Sequence, residues 1–139
     1  MSYILDASVA AKWFNIEESS ETATQVKDAH VRGDLELAAP SHLVYEVGNS
    51  IWKNPQLTMD EAREAVASIL QLGILLLPPN TSRASRAMQI ARLKSTTFYD
   101  ASYLQAAEEL KATLLTADET QARACKDIAQ VLRLPEFKA

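Results

Sequence analysis

Asp6, Glu46, Asp100 and Asp118 are the residues from which chemistry can be argued. Asp6 follows the apolar run Tyr3-Ile4-Leu5, and Asp118 follows the run from Thr113 to Thr116. Both therefore leave the chain where a buried strand should end. Each also has an ordinary reading as a helix cap: Asp6 or Ser8 before the first helix, and Asp118 with Gln121 at capping-box spacing. Thr97 stands three residues before Asp100, the same spacing. At 100° per residue, however, Asp100 falls inside the apolar stripe of Tyr103, Leu104, Ala107 and Leu110. A surface cap points to water, whereas an acid on that stripe points toward the sheet edge. Glu46 is too far into its helix to cap, and it borders the face made by Leu43, Val47 and Ile51, with Ser50 one turn later. A partly buried carboxylate must be paired with a base or bound to a metal.

The four acids come from four segments and can converge at one crevice. The nearest bases in sequence are Lys12 to Asp6 and Lys94 to Asp100. Like charges gathered without counter-ions repel and raise one another's pKa values, and a hard divalent cation removes that penalty. Mg²⁺ or Mn²⁺ takes oxygen ligands, and Mg²⁺ keeps several waters, so a few carboxylates suffice. Zinc does not fit: there is one cysteine, Cys125, and His30 and His42 are not at ligand spacing. Both histidines are expected at the surface or at helix ends. A carboxylate-held metal suits phosphodiester hydrolysis, because it acidifies water and neutralises charge in an in-line displacement. Other chemistries lack parts. There is no glycine-rich nucleotide loop, no G-x-S-x-G elbow and no nucleophile paired with a histidine. Cys125, among Ala122, Ala124 and Ile128, reads as a core residue.

The elements that must position these acids alternate. Strands are expected at 3–5, 35–39, 74–77 and 113–116, with a last short one in 127–132. Helices are expected at 8–15, 19–32 and about 42–53. Thr58 with Glu61 caps another helix, which ends near Gly73, and further helices follow at 82–93, 98–111 and 118–126. Alternating short strands and helices imply an α/β/α sandwich with a mainly parallel central sheet of four to five strands. In such sheets ligands bind beyond the carboxyl ends of the strands.

The chain has 139 residues, one ordinary domain, and 47% of them are apolar. With one cysteine no disulfide can form within the chain, which points to a reducing cytoplasm. No basic stretch precedes an apolar run at the N-terminus, so no signal peptide is expected, and no apolar segment is long enough to span a membrane. The net charge of −4 gives no overall attraction to nucleic acid. Residues 1–70 hold 11 acids and 5 bases, residues 71–139 hold 7 and 9, and no acid lies between Glu64 and Asp100. Within that window Arg83, Arg86 and Lys94 share about an 80° arc of one helix, beside an apolar side of Ala84, Met88 and Ala91. We expect this edge, with Lys12 and Trp13, to help hold the phosphate backbone of a nucleic acid. Tyr45, Gly48 and Trp52 form a second edge of the 42–53 helix, suited either to a partner protein or to a neighbouring helix.

With these residues in place, the sequence resembles the PIN-domain ribonucleases, and within them the VapC-type toxins of prokaryotic toxin–antitoxin pairs. The matching pieces are Ile4-Leu5-Asp6-Ala7-Ser8, Tyr45-Glu46-Val47 with Asn49, Thr97-Phe98-Tyr99-Asp100-Ala101 with Leu104 and Ala106, and Leu114-Leu115-Thr116-Ala117-Asp118. They run in order over essentially the whole chain, residues 1–139, as a single domain. The resemblance implies a metal-dependent endoribonuclease with Asp6, Glu46, Asp100 and Asp118 as its acidic, metal-binding and catalytic quartet. It also implies Ser8 and Thr116 in support, Mg²⁺ or Mn²⁺ as cofactor, a cognate antitoxin and a homodimer. Two other classes remain. One is a non-catalytic module of the same fold that binds RNA or protein, for which four converging acids have no use. The other is a phosphoryl-accepting receiver-type domain, for which Lys126 and Lys138 are poorly placed.

Overall fold

The structure, a computed structural model, describes residues 1–124 and 126–138. β1 (Ser2–Leu5) leads into α1 (Ala7–Ala10), which tightens into a 3₁₀ turn at Ala11–Trp13. Then follow α2 (Ser20–Arg32), β2 (Glu36–Pro40), α3 (Leu43–Trp52), α4 (Met59–Gln71) and β3 (Leu75–Leu77). α5 (Thr81–Lys94), α6 (Phe98–Leu110), β4 (Thr113–Thr116), α7 (Glu119–Ala124), β5 (Val131–Arg133) and a 3₁₀ turn at Leu134–Glu136 complete the chain.

Local chemistry sets the helix ends. Thr58 and Glu61 bond each other's backbone N–H groups at 3.1 and 2.9 Å, a full capping box that starts α4. Asn80 caps α5 through Arg83 N–H and Thr97 caps α6 through Asp100 N–H. α2 ends on Gly33 at φ +83°, and the turn after α4 uses Gly73 at φ +73°. That left-handed region disfavours residues with a Cβ, which is why glycine stands at these two stops.

The five strands form one all-parallel sheet in the order β3-β2-β1-β4-β5. Successive strand residues point to opposite faces. Ile4 and Leu5 in β1, and Leu114 and Leu115 in β4, are all fully buried, so both faces of the sheet are covered. α6 touches β1, β2 and β4 and packs extensively on α5. Tyr103, Leu104, Ala106 and Ala107 of α6 are buried, so this helix carries most of its circumference inside.

The chain moves outward from β1 to β2 to β3, then crosses back to place β4 on the other side of β1. The connections therefore diverge between β1 and β4, and a crevice opens at their carboxyl ends. Asp6 and Asp118 directly follow these two strands.

Three local expectations change. The 8–15 helix is one short α-turn followed by a 3₁₀ turn. The buried side of α5 is Ala87, Ile90 and Ala91, with Met88 half exposed, because Ile90 carries more apolar surface than the alanines of the expected stripe. The last strand lies at residues 131–133, at the downstream limit of its expected window. Cys125, read from sequence as a core residue, lies outside the described residues.

Candidate active site

Asp6 stands at the start of α1 but makes no capping bond with its side chain. Its N–H donates instead to the Leu115 carbonyl at 3.1 Å, extending the β1–β4 ladder by one step. The carboxylate is 5% exposed. Ser8 Oγ donates to Asp6 Oδ2 at 2.5 Å, and Thr116 Oγ1 donates to the same oxygen at 2.9 Å. The two hydroxyls also act as acceptors. Ala117 N–H donates to Ser8 Oγ at 2.9 Å, and Asp118 N–H donates to Thr116 Oγ1 at 3.0 Å. The turn after β4 is thus tied to the turn after β1 through Ser8, Thr116 and Asp6. Oδ1 of Asp6 takes no hydrogen bond among the described residues.

Asp118 is a helix cap, the ordinary one of its two readings. Its Oδ1 accepts from Thr120 N–H at 2.9 Å and Gln121 N–H at 3.3 Å, so it caps α7. Its Oδ2 has no such partner among the described residues. Asp100 lies in the first turn of α6, half-buried, with its N–H held by Thr97 Oγ1 at 3.0 Å.

Glu46 lies on α3, four residues after His42. Tyr103 Oη donates to Glu46 Oε1 at 3.0 Å, and His42 Nδ1 lies 2.5 Å from the same oxygen. Tyr103 is fully buried on α6. The His42 ring packs edge-on against Tyr99 and Tyr103, each at 5.2 Å. Its Nε2 is buried without a hydrogen-bond partner among the described residues. Both contacts converge on one oxygen of Glu46, and Oε2 takes no hydrogen bond among the described residues. His42 and Tyr103 are therefore the residues that sequence reasoning missed as supports. His42 does sit at a helix end, and its i,i+4 spacing to Glu46 was the available signal. Tyr103 carried none, because a tyrosine on an apolar stripe reads as core. His30 is structural: it donates to the Leu72 carbonyl and accepts from Leu37 N–H, bridging α2, β2 and the end of α4.

The electrostatics show that the four acids share one field. Burial pushes the Asp6 carboxyl up to about 6, against the bonds from Ser8 and Thr116, with Asp100 and Glu46 raising it further. Burial likewise raises Asp100, with Asp118 the next cause and Glu46 adding to it. Each acid thus acts on another, although they come from β1, α3, α6 and β4. No Lys or Arg among the described residues forms an ion pair with any of the four. Oxygen donors, mutual repulsion and a carboxyl that holds its proton to about pH 6 all fit a hard divalent cation. The fit is of the loose kind: among the described residues no three acidic or histidine side chains lie close enough to grip one ion together. Such a site suits a cation that keeps its own water between itself and some of its ligands.

The expected basic edge is not free. Arg83 makes a two-pronged pair with Glu109, its Nε and Nη2 at 3.0 and 2.9 Å, and its Nη1 donates to the Pro78 carbonyl. Arg86 pairs the same way with Glu108. Lys94 pairs with Asp127, and Lys12 with Glu17. The three α5 residues do share a side, but that side faces acids of α6 and of the segment before β5, which the helical arc alone could not reveal. Tyr45 and Trp52 are 82% and 77% exposed, so the neighbouring-helix reading does not hold for them. Gly48 does face a helix: a Cβ there would lie 3.4 Å from Val66 of α4.

An open parallel α/β sheet with an acidic crevice at its switch point, where no Lys or Arg of the described residues pairs with the acids, defines the class. Residues 3–127 match the family described as PIN domain, and the chain belongs to that family. It is 32% identical over 123 residues to Ribonuclease VapC3 of Pyrobaculum aerophilum, covering 85% of this chain and 90% of that protein. Among solved structures, PAE2754 from Pyrobaculum aerophilum superposes with a TM-score of 0.72 at 22% identity, over 97% of this chain and 85% of the other. VapBC2 from Rickettsia felis, bound to a DNA fragment from their promoter, gives 0.70 at 12% identity over 96% and 98%. These two structures share the fold.

Proposed function

We propose that this chain is a metal-dependent endoribonuclease that hydrolyses RNA phosphodiester bonds. In this reading it is the toxin of a VapBC-type toxin–antitoxin pair and acts in the cytoplasm. The observation that carries the reading is the convergence of Asp6, Glu46, Asp100 and Asp118 at the carboxyl ends of β1 and β4 with no Lys or Arg partner among the described residues. The 32% identity to Ribonuclease VapC3 supports RNA as the substrate class.

Mg²⁺ or Mn²⁺, when bound, supplies charge neutralisation and a more acidic water for in-line attack. Asp6 and Asp118 would hold it from the strand ends, with Asp100 and Glu46 facing them from α6 and α3. Ser8 and Thr116 fix the orientation of Asp6, and the free Oδ1 is the oxygen left to face the ion. Tyr103 and His42 fix Glu46 in the same way and leave Oε2. The fixed carboxylates orient the attacking water and exclude a competing anion until the charge is balanced.

A partner antitoxin is supported by the shared fold with a VapBC2 protein. A homodimer is supported by Tyr45 and Trp52, two exposed aromatics seven residues apart on one side of α3. Light scattering tests it: Trp52→Ala should lower the molar mass, and an unchanged mass removes the dimer surface from this helix.

The test of the activity is cleavage of end-labelled tRNA and ribosomal RNA with Mn²⁺, with Mg²⁺ and with EDTA, beside Asp6→Asn. Cuts lost in both EDTA and the variant are the expected result. Cuts that survive in Asp6→Asn would place the chemistry elsewhere.

A further inference from the structure

A groove of about 560 Å³, lined equally by polar and apolar surface, lies between the end of the first 3₁₀ turn and the end of α3. Phe14, Asn15, Ser50, Lys53, Asn54 and Gln56 line it. We propose that this groove is a nucleotide subsite, which takes a base and the adjoining phosphate of single-stranded RNA beside the cleaved bond. The proposal rests on the ribonuclease reading above.

Position is the first argument. The segment that begins at Asp6 runs through α1 and the 3₁₀ turn to Asn15. α3 carries Glu46 and Ser50, and Lys53 is its C-cap, still in helical backbone conformation. At 100° per residue, Glu46, Ser50 and Lys53 share one face, and Lys53 lies about 10 Å along the axis from Glu46. That is roughly three nucleotides of a stacked strand at about 3.4 Å each. A strand laid across the acidic crevice along this face therefore reaches the groove.

The lining chemistry is the second argument. Asn15 Nδ2 donates to Ser50 Oγ at 2.8 Å, and Asn54 Nδ2 donates to Asn15 Oδ1 at 2.8 Å. Gln56 N–H donates to Asn54 Oδ1 at 3.0 Å. These bonds lock two amides in place at the groove wall. The Ser50 hydroxyl proton has no acceptor among the described residues, and the Gln56 side chain is exposed. Asn15 Nδ2 also donates to the Ala11 carbonyl and Asn54 Nδ2 to the Phe14 carbonyl, so both amides spend their protons within the protein. The exposed Gln56 amide and the Ser50 hydroxyl are the groups left to match the edge of an unstacked base, and Phe14 offers an apolar surface for its face. The volume lies within the range of small-molecule sites.

Charge is the third argument. Four carboxylates repel a polyanion, so a cation must stand nearby. Lys12, Arg83, Arg86 and Lys94 are all engaged by acids. Lys53 is exposed, makes no ion pair among the described residues, and closes the face that Glu46 opens.

The test uses the full chain with Asp6→Asn, so that RNA is bound without being cut. Binding of a fluorescent single-stranded RNA of mixed sequence is followed by anisotropy across a salt series. Adding Lys53→Glu should weaken binding about tenfold and flatten the salt slope by about one counterion. Adding Gln56→Ala should alter the ranking of A-, C- and U-rich oligonucleotides. With Asp6 restored, Lys53→Glu should raise KM more than it lowers kcat. Both residues are exposed, so neither change threatens the fold. Active wild-type protein with RNA affinity unchanged in both variants overturns the subsite and leaves the ribonuclease standing. Unchanged RNA affinity with an altered molar mass assigns the groove to a protein contact, which also overturns it. Wild-type protein that cuts no RNA with Mn²⁺ overturns both readings together.

Discussion

Asp6→Asn exchanges a buried carboxylate for a neutral group of the same shape, and keeps an acceptor for Ser8 and Thr116. In the metal-free chain this should raise stability. The Asp6 carboxyl sits at about 6 in the folded state against 3.8 unfolded, with burial the first cause. A carboxyl raised on folding holds more protons folded than unfolded between those two values. The folded state is therefore unpenalised below pH 3.8 and loses stability as pH rises toward about 6, after which the loss is constant. Two units correspond to about 3 kcal/mol, fully present at pH 7.5 and about half that at pH 5. The side chain is 5% exposed, so little solvent screening reduces this figure. Urea unfolding in EDTA at both pH values measures it. Asp6→Asn should be more stable than wild type by up to about 3 kcal/mol at pH 7.5, with the gap narrowing at pH 5. Adding Mn²⁺ should reverse the order, because only wild type retains the full donor set. A variant no more stable than wild type at pH 7.5, or a gap that does not narrow at pH 5, would refute the account of a charge held at a cost for the sake of an ion.

Mn²⁺ affinity, measured by calorimetry, should rise with pH up to about 6 and then level off, since a proton on Asp6 competes with the ion; a flat profile between pH 5 and 7 would remove Asp6 from the ligand set. Tyr103→Phe keeps the buried ring but deletes the donor to Glu46, and should cost about 1 kcal/mol in urea unfolding and weaken Mn²⁺ binding. Arg83→Ala should lower RNA affinity less than Lys53→Glu does, because Glu109 already holds the Arg83 guanidinium; the reverse ranking by anisotropy would restore the basic edge on α5. Leu115→Ala empties a fully buried site in β4 beside the crevice and should cost about 2–5 kcal/mol by urea unfolding.

Strand and helix order was legible because the signals are local. Apolar runs such as Ile4-Leu5 and Leu114-Leu115 are too short for helices, and the stops at Gly33 and Gly73 mark backbone that residues with a Cβ avoid. The box of Thr58 and Glu61 is chemistry between residues three apart. The candidate acids were legible for a related reason. Each stands at an element boundary or on a helix face whose position follows from counting, and a carboxylate there without a nearby base is an electrostatic question that the sequence already asks.

Other features needed the tertiary structure, because they depend on distances between segments far apart in the chain. The order β3-β2-β1-β4-β5 brings Asp6 beside Thr116, 110 residues away, and no periodicity encodes that pairing. Glu46 meets Tyr103 across 57 residues. The same cause shapes the basic edge: Arg83 and Arg86 do share the arc on α5, but the acids Glu108 and Glu109 that pair with them come from the helix packed against it. Sequence determined which groups were available and which way each faced on its own element. The fold decided which of them meet, because charge pairing and burial are set by contacts in space rather than by spacing along the chain.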